Sequence, residues 1–142
     1  VKTILTVGTY DLTHYGHYRL FERCKKIVGN GKVVVGINTD AFIQKYKGRP
    51  PVLSYYERCQ NVIACKWVDT VIENYGNETL KPLLMDIRPD FLVVGSDWAK
   101  KDYYTQIGVT QAWLDDMKID LIYVPYTESI STTEIKRRMS NA

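Results

Sequence analysis

The chain has 142 residues, 45% of them apolar and 25% charged, and its 19 Lys and Arg against 16 Asp and Glu leave a net charge of +3. At roughly 150 residues per domain this is one globular unit, long enough to bury a core with no disulfide or metal. The balance excludes disordered, collagen-like and coiled-coil chains, and a nucleic-acid partner is not expected at so mild a charge.

No apolar run approaches the roughly 18 residues of a membrane span, and Val1 is not followed by a basic-then-apolar leader. Cys24, Cys59 and Cys65 lack metal-site spacing and read as small core residues in a reducing compartment. The expectation is a cytoplasmic protein with no membrane partner.

Along the chain, Thr3–Val7 reads as a strand. Tyr15–Val28 reads as a helix, with His17, Leu20, Phe21, Cys24 and Val28 on one face at spacings of three and four. Gly29-Asn30-Gly31 stops it. Lys32–Asn38 is Val-rich, as for a strand buried on both faces. Ala41–Val52 contains Gly48, Pro50 and Pro51 and reads as a loop or a broken element. Ser54 and Glu57 form a capping-box signature that opens a helix over Tyr55–Lys66.

Further along, Val68–Ile72 is a strand and Thr79–Ile87 a short helix closed by Pro89. Phe91–Val94 is a strand, Tyr103–Met117 is helical in parts, Leu121–Val124 is the last strand and Ser131–Met139 the last helix. Five strands alternating with helices predict an α/β fold, a mainly parallel sheet with helices on both faces and right-handed crossovers. Ligands of such sheets bind beyond the carboxyl ends of the strands.

The first strand runs into Gly8-Thr9-Tyr10-Asp11-Leu12-Thr13-His14-Tyr15-Gly16-His17, which holds both histidines of the chain. A helix beginning near His14 places the two on one face. Its N-terminus attracts phosphate, to which the imidazoles can donate. Gly16 is expected to leave room for a ligand. The plainer alternative is two histidines that cap and pack; a zinc site has thin support from two His and one Asp. The last strand runs into a hydroxyl-rich helix start at 127–133, which is either a second phosphate cradle or an ordinary cap.

These motifs, with V-G-I-N-T-D at 35–40, K-G-R-P-P-V-L-S-Y-Y-E-R at 47–58, W-V-D-T-V-I at 67–72, V-G-S-D-W at 94–98 and T-E-S-I-S-T-T at 127–133, span almost the whole chain. Together they resemble the cytidylyltransferases of the glycerol-3-phosphate type, in the H-x-G-H nucleotidyltransferase superfamily. The resemblance implies a Rossmann-like three-layer α/β/α fold and a homodimer. It also implies Mg2+-dependent transfer of CMP from CTP to a small phosphorylated or phosphonate acceptor.

Carried onto this sequence, the resemblance makes His14 and His17 the pair that stabilises the phosphoryl transition state. It makes Lys45 and Lys47 the cations for the CTP and acceptor phosphates, the alternative being solvated loop charges. Gly8, Thr9, Tyr10 and Gly16 fall on the nucleotide side, with Asp97 and Trp98 at the cytidine and Thr127, Ile130, Ser131, Thr132 and Thr133 holding the nucleotide. Asp11, Asp40, Arg58 and Tyr126 fall on the acceptor side. Arg58 stands as either an acceptor-phosphate ligand or a loop anchor, and Asp11 and Asp40 as site support or capping.

Two departures matter. Tyr126 and Ser129 stand where the family signature has Arg and Gly, so a forked charge is missing; either another cation, Lys136, Arg137 or Lys100, takes over or the activity is weaker or altered. The segment Ala99–Met117 is longer than in short family members; part of it is expected to cover the acceptor and Trp113 to pack in the core. The competing readings are an adenylyltransferase using ATP and a nucleotide-binding module with weakened catalysis.

Overall fold

A computed structural model describes residues 1–76, 79–96, 102–125, 127 and 130–141. Five strands, β1 (Thr3–Gly8), β2 (Lys32–Asn38), β3 (Thr70–Asn74), β4 (Phe91–Gly95) and β5 (Asp120–Val124), form one sheet in the order β3-β2-β1-β4-β5, with every pairing parallel. The helices are α1 (Tyr15–Val28), α2 (Asp40–Lys47), α3 (Tyr55–Ile63), α4 (Lys81–Ile87), α5 (Tyr103–Ile107), α6 (Gln111–Asp116) and α7 (Thr132–Ser140). The chain order reverses between β1 and β4, which opens a crevice at their carboxyl ends.

Alternating side chains divide the core. Ile4, Val33, Val35 and Val93 pack on one face with Phe21 and Cys24 of α1 and Cys59 and Val62 of α3. Their neighbours Leu5, Val34 and Leu92 pack on the other with Leu84 of α4, Ile107 of α5 and Leu114 of α6. Trp113 lies against this second cluster, as expected of it. Cys24 and Cys59 are buried thiols, and burial pushes Cys24 up to about 12. Among the described residues no helix is long and apolar enough to cross a membrane.

α1 and β2 have the predicted bounds. The segment read as a loop or broken element is instead mostly α2: Thr39 caps it by accepting from the Phe42 N–H at 3.2 Å, and Gly48 closes it at φ 73°. The glycine and prolines therefore terminate a helix. α3 keeps the Ser54–Glu57 box but ends at Ile63, so Cys65 lies beyond it. β3 starts two residues later than predicted, because the Asp69 carboxylate accepts from the Val33 N–H at 2.8 Å and from Lys25 at 3.1 Å before pairing begins.

Candidate active site

A cleft of about 470 Å³ opens at the carboxyl end of the sheet. Gly8 at the end of β1, Thr9 after it, Gly95 of β4 and Pro125 after β5 line it, as do residues of α1 and α7. Between β1 and α1 the backbone is left-handed at Tyr10 (φ 53°) and Leu12 (φ 51°), a conformation that costs energy in a non-glycine residue and clusters at functional sites. The turn drives Tyr10 into the core, 6% exposed, with its hydroxyl on Thr6 at 3.3 Å. Its ring supports His17 edge-on at 5.4 Å and touches Phe21 at 5.3 Å. Tyr10, expected as a nucleotide contact, both lines the cleft and supports His17.

The two histidines close a capping box on α1. The Gly16 N–H donates to His14 Nδ1 at 3.1 Å, and the His14 N–H donates to His17 Nδ1 at 3.2 Å. Each neutral ring then carries its proton on Nε2, the remaining donor. Helix-start amides that could have met a ligand directly hold the imidazoles, and the imidazoles donate in their place. The rings lie 3.9 Å apart. Burial, with the His14 ring as a second cause, holds His17 down at about 3, and burial also lowers His14. Both are uncharged at neutral pH. Gly16 lines the cleft and makes room for the His14 ring: a Cβ there would meet His14 Cε1 at 2.8 Å.

Three residues expected on the acceptor side make structural contacts, and one of them, Asp11, also lines the cleft. Asp11 is 5% exposed, and its carboxylate accepts from the N–H groups of Val52 at 2.7 Å and Leu53 at 3.0 Å, pinning the loop that follows α2. Arg58 is fully buried and takes the anchoring alternative: Nε donates to Leu53 O at 3.1 Å, one terminal nitrogen to Thr9 O at 2.7 Å and the other to Asp40 at 2.7 Å. Asp40 also accepts from the Tyr55 N–H at 3.3 Å. Together they hold the backbone at Thr9. Tyr126, Asp97, Trp98 and Lys100 lie outside the described residues.

On α2, Lys47 lines the cleft and Lys45 does not. Residues two apart are turned about 200° around a helix, so the two cannot share a face. Thr127, Ile130, Ser131 and Thr132 all line the cleft, while Thr133 is exposed and off it. Ser131 is also the cap of α7, accepting from the Glu134 N–H at 3.0 Å, and Thr132 donates to Asp11 O at 2.8 Å, tying α7 to the first loop. The positive end of α7 therefore faces the cleft.

Among the candidate replacement cations, Lys136 lines the cleft. Arg137 and Arg138 are held on Glu134 at 2.6 and 3.2 Å. Lys136 is one of the three candidates for that role, and its place in the lining singles it out among those described. No cluster of three His, Cys, Asp or Glu that could hold a metal stands among the described residues.

A parallel α/β sheet with paired histidines and a helix start converging at its switch point defines a nucleotide-handling fold of the transferase type. The chain belongs to the cytidylyltransferase-like family, whose model matches residues 5–138. It is 36% identical over 141 residues to the glycerol-3-phosphate cytidylyltransferase of Bacillus subtilis (strain 168), covering 99% of this chain and 98% of that protein. It is 32% identical over 139 residues to the glycerol-3-phosphate cytidylyltransferase of Staphylococcus aureus (strain NCTC 8325 / PS 47), covering 98% and 96%. The solved lipopolysaccharide core biosynthesis protein from Thermoplasma volcanium GSS1 shares the fold, with TM-score 0.69, 21% identity and coverage of 91% and 98%.

Proposed function

We propose that this chain transfers CMP from CTP to a small phosphorylated acceptor, releasing pyrophosphate, with glycerol 3-phosphate as the first acceptor to test. The observation that carries the reading is the convergence of His14, His17, Lys47, Lys136 and the start of α7 on one cleft. The relatives' names support CTP and glycerol 3-phosphate as the substrates.

A phosphate monoester is largely a dianion near pH 7, so its oxygen needs no general base. It attacks the α-phosphorus in line. One P–O bond forms, the bond to the bridging oxygen of the β-phosphate breaks, and pyrophosphate takes the electron pair. The protein aligns two mutually repelling anions and stabilises charge on the equatorial oxygens. Neutral imidazoles suit that task, because each donates Nε2–H and takes no proton from the nucleophile. Lys47 and Lys136 offset the phosphate charge. Bound with the CTP phosphates, Mg2+ would neutralise part of that charge; no group of three His, Cys, Asp or Glu that could hold a metal stands among the described residues. A homodimer is part of the same reading, checked by light scattering.

The experiment is pyrophosphate release with Mg2+ and either CTP or ATP against a panel of phosphates and phosphonates. Turnover with CTP is expected. Turnover with ATP alone would move the chain to the adenylyltransferases, and tight CTP binding without turnover would leave a binding module.

A further inference from the structure

Lys47 lines the cleft, yet its own helix gives it little to hold it there. It is the last residue of α2, Gly48 follows it at φ 73°, and among the described residues no carboxylate pairs with it. A lysine on its four-carbon stem loses side-chain freedom whenever its charge is held in one place. The residue beside it supplies a constraint. The Lys47 ammonium stands over the Tyr46 ring, 5.6 Å from its centroid and within reach of a cation–π contact.

The Tyr46 ring is itself fixed at both ends. One helical turn back, Phe42 meets it at 4.9 Å with the planes inclined by 42°. Phe42 in turn lies on the backbone of Gly76, just after β3: φ there is 63°, and a Cβ would overlap the Phe42 ring. At the far end of the Tyr46 ring, its hydroxyl meets Thr9 Oγ1 at 3.2 Å.

Thr9 is a firm post for that hydroxyl. Its carbonyl accepts from buried Arg58 at 2.7 Å, and its side-chain oxygen accepts from Asn38 Nδ2 at 3.1 Å. Asn38 is held in turn by Asn74, whose Nδ2 donates to the Asn38 oxygen at 2.9 Å, and the Gly76 N–H donates to Asn74 Oδ1 at 3.2 Å. A backbone N–H can only donate, which sets the direction of this chain. The tie at Thr9 therefore joins the end of α2 to the carboxyl ends of β1, β2 and β3. Tyr46 is 46% exposed, so these contacts fix a direction while burying little.

We propose that Tyr46 is the positioning residue of Lys47. Its hydroxyl on Thr9 and its ring on Phe42 fix an aromatic face, and that face keeps the Lys47 ammonium at the cleft and out of open solvent. Tyr46 acts through Lys47 and needs no contact with substrate. The proposal rests on Lys47 offsetting phosphate charge in the reaction proposed above.

The test is a double-mutant cycle on kcat/KM for CTP, read as pyrophosphate release with Mg2+ and the panel phosphate that turns over fastest. Tyr46→Leu removes both the hydroxyl and the aromatic face, and is expected to lower kcat/KM about 10-fold. Tyr46→Phe keeps the face and is expected to lose no more than about threefold. In a Lys47→Met background, Tyr46→Leu is expected to cost less than about twofold more, because the group it positions is gone. Melting temperatures of both Tyr46 variants should stay within a few degrees of the unaltered chain. Three results would each overturn the proposal alone: Tyr46→Leu without loss, Tyr46→Phe as poor as Tyr46→Leu, or the same loss in both backgrounds, as a merely structural tyrosine gives. No turnover with CTP by the unaltered chain on any acceptor would overturn it together with the function it rests on.

Discussion

The imidazoles of His14 and His17 lie with ring centroids 3.9 Å apart and planes inclined by 34°, each accepting a backbone N–H from the start of α1. The helix start thus fixes two adjacent donors without charging either. Losing one transition-state donor of this kind costs roughly 100- to 1000-fold in turnover. His17→Ala is expected to fall in that range in pyrophosphate release while its circular dichroism stays unchanged. Near-normal turnover in the folded variant would remove His17 from the catalytic role.

The same pair sets an acid limit. His17 titrates at about 3 when folded, lowered by burial first and by His14 second, against an ordinary 6.5. Above pH 6.5 both states are neutral and the full stability is present. Below it the unfolded chain takes up a proton that the folded chain refuses, so stability falls with pH down to about 3, with a slope approaching roughly 1.4 kcal/mol per pH unit. His14 shifts in the same direction. Carboxylates contribute mainly below about pH 4.5, so the window from 6.5 to 4.5 isolates the histidines. A falling thermal midpoint there, flattened in His17→Gln, is the expected record.

Gly16 offers a sharper test of geometry. Alanine favours a helix over glycine by up to about 1 kcal/mol, but its Cβ would press on His14 at 2.8 Å. Gly16→Ala is expected to lower kcat about 10-fold or more with a melting temperature within a few degrees of wild type. Unchanged kcat would mean that the His14 ring position does not matter.

Arg58 is expected to act on stability. Its guanidinium is buried with three separate acceptors, and Arg58→Met would leave Thr9 O and Leu53 O without it. Leaving a buried acceptor unpaired costs about 1–3 kcal/mol. Lysine cannot fork to three acceptors, so Arg58→Lys should rescue little. Urea unfolding measures both, and a loss below about 1 kcal/mol in Arg58→Met would contradict the anchoring role.

Lys136 and Arg138 make a paired control on one helix. Lys136 faces the cleft, and Arg138 is held on Glu134. Lys136→Ala is expected to raise the KM for CTP about 10-fold, losing a charge-assisted contact. Arg138→Ala should leave it within about twofold. Equal effects would show that α7 contributes only a diffuse field.

What the sequence by itself determined is what short-range periodicity carries. The α/β alternation, the bounds of α1 and β2, the Ser54–Glu57 box and the placing of His14 and His17 within one turn all follow from spacings of two to four residues. α2 was also within reach, since Thr39, Asp40 and Gly48 mark a helix; the prolines beyond it masked the reading.

Only the tertiary structure decided which partner each polar group takes. Asp11 chooses amides 41 and 42 residues away, Arg58 a carbonyl 49 residues away, and Asn38 an amide 36 residues away. It also decided that Lys47 and not Lys45 meets the cleft, and that Lys136 joins it. No local pattern encodes those choices. A buried charge or amide must find complementary atoms wherever packing of the sheet and helices delivers them, and that address is set by the whole chain at once.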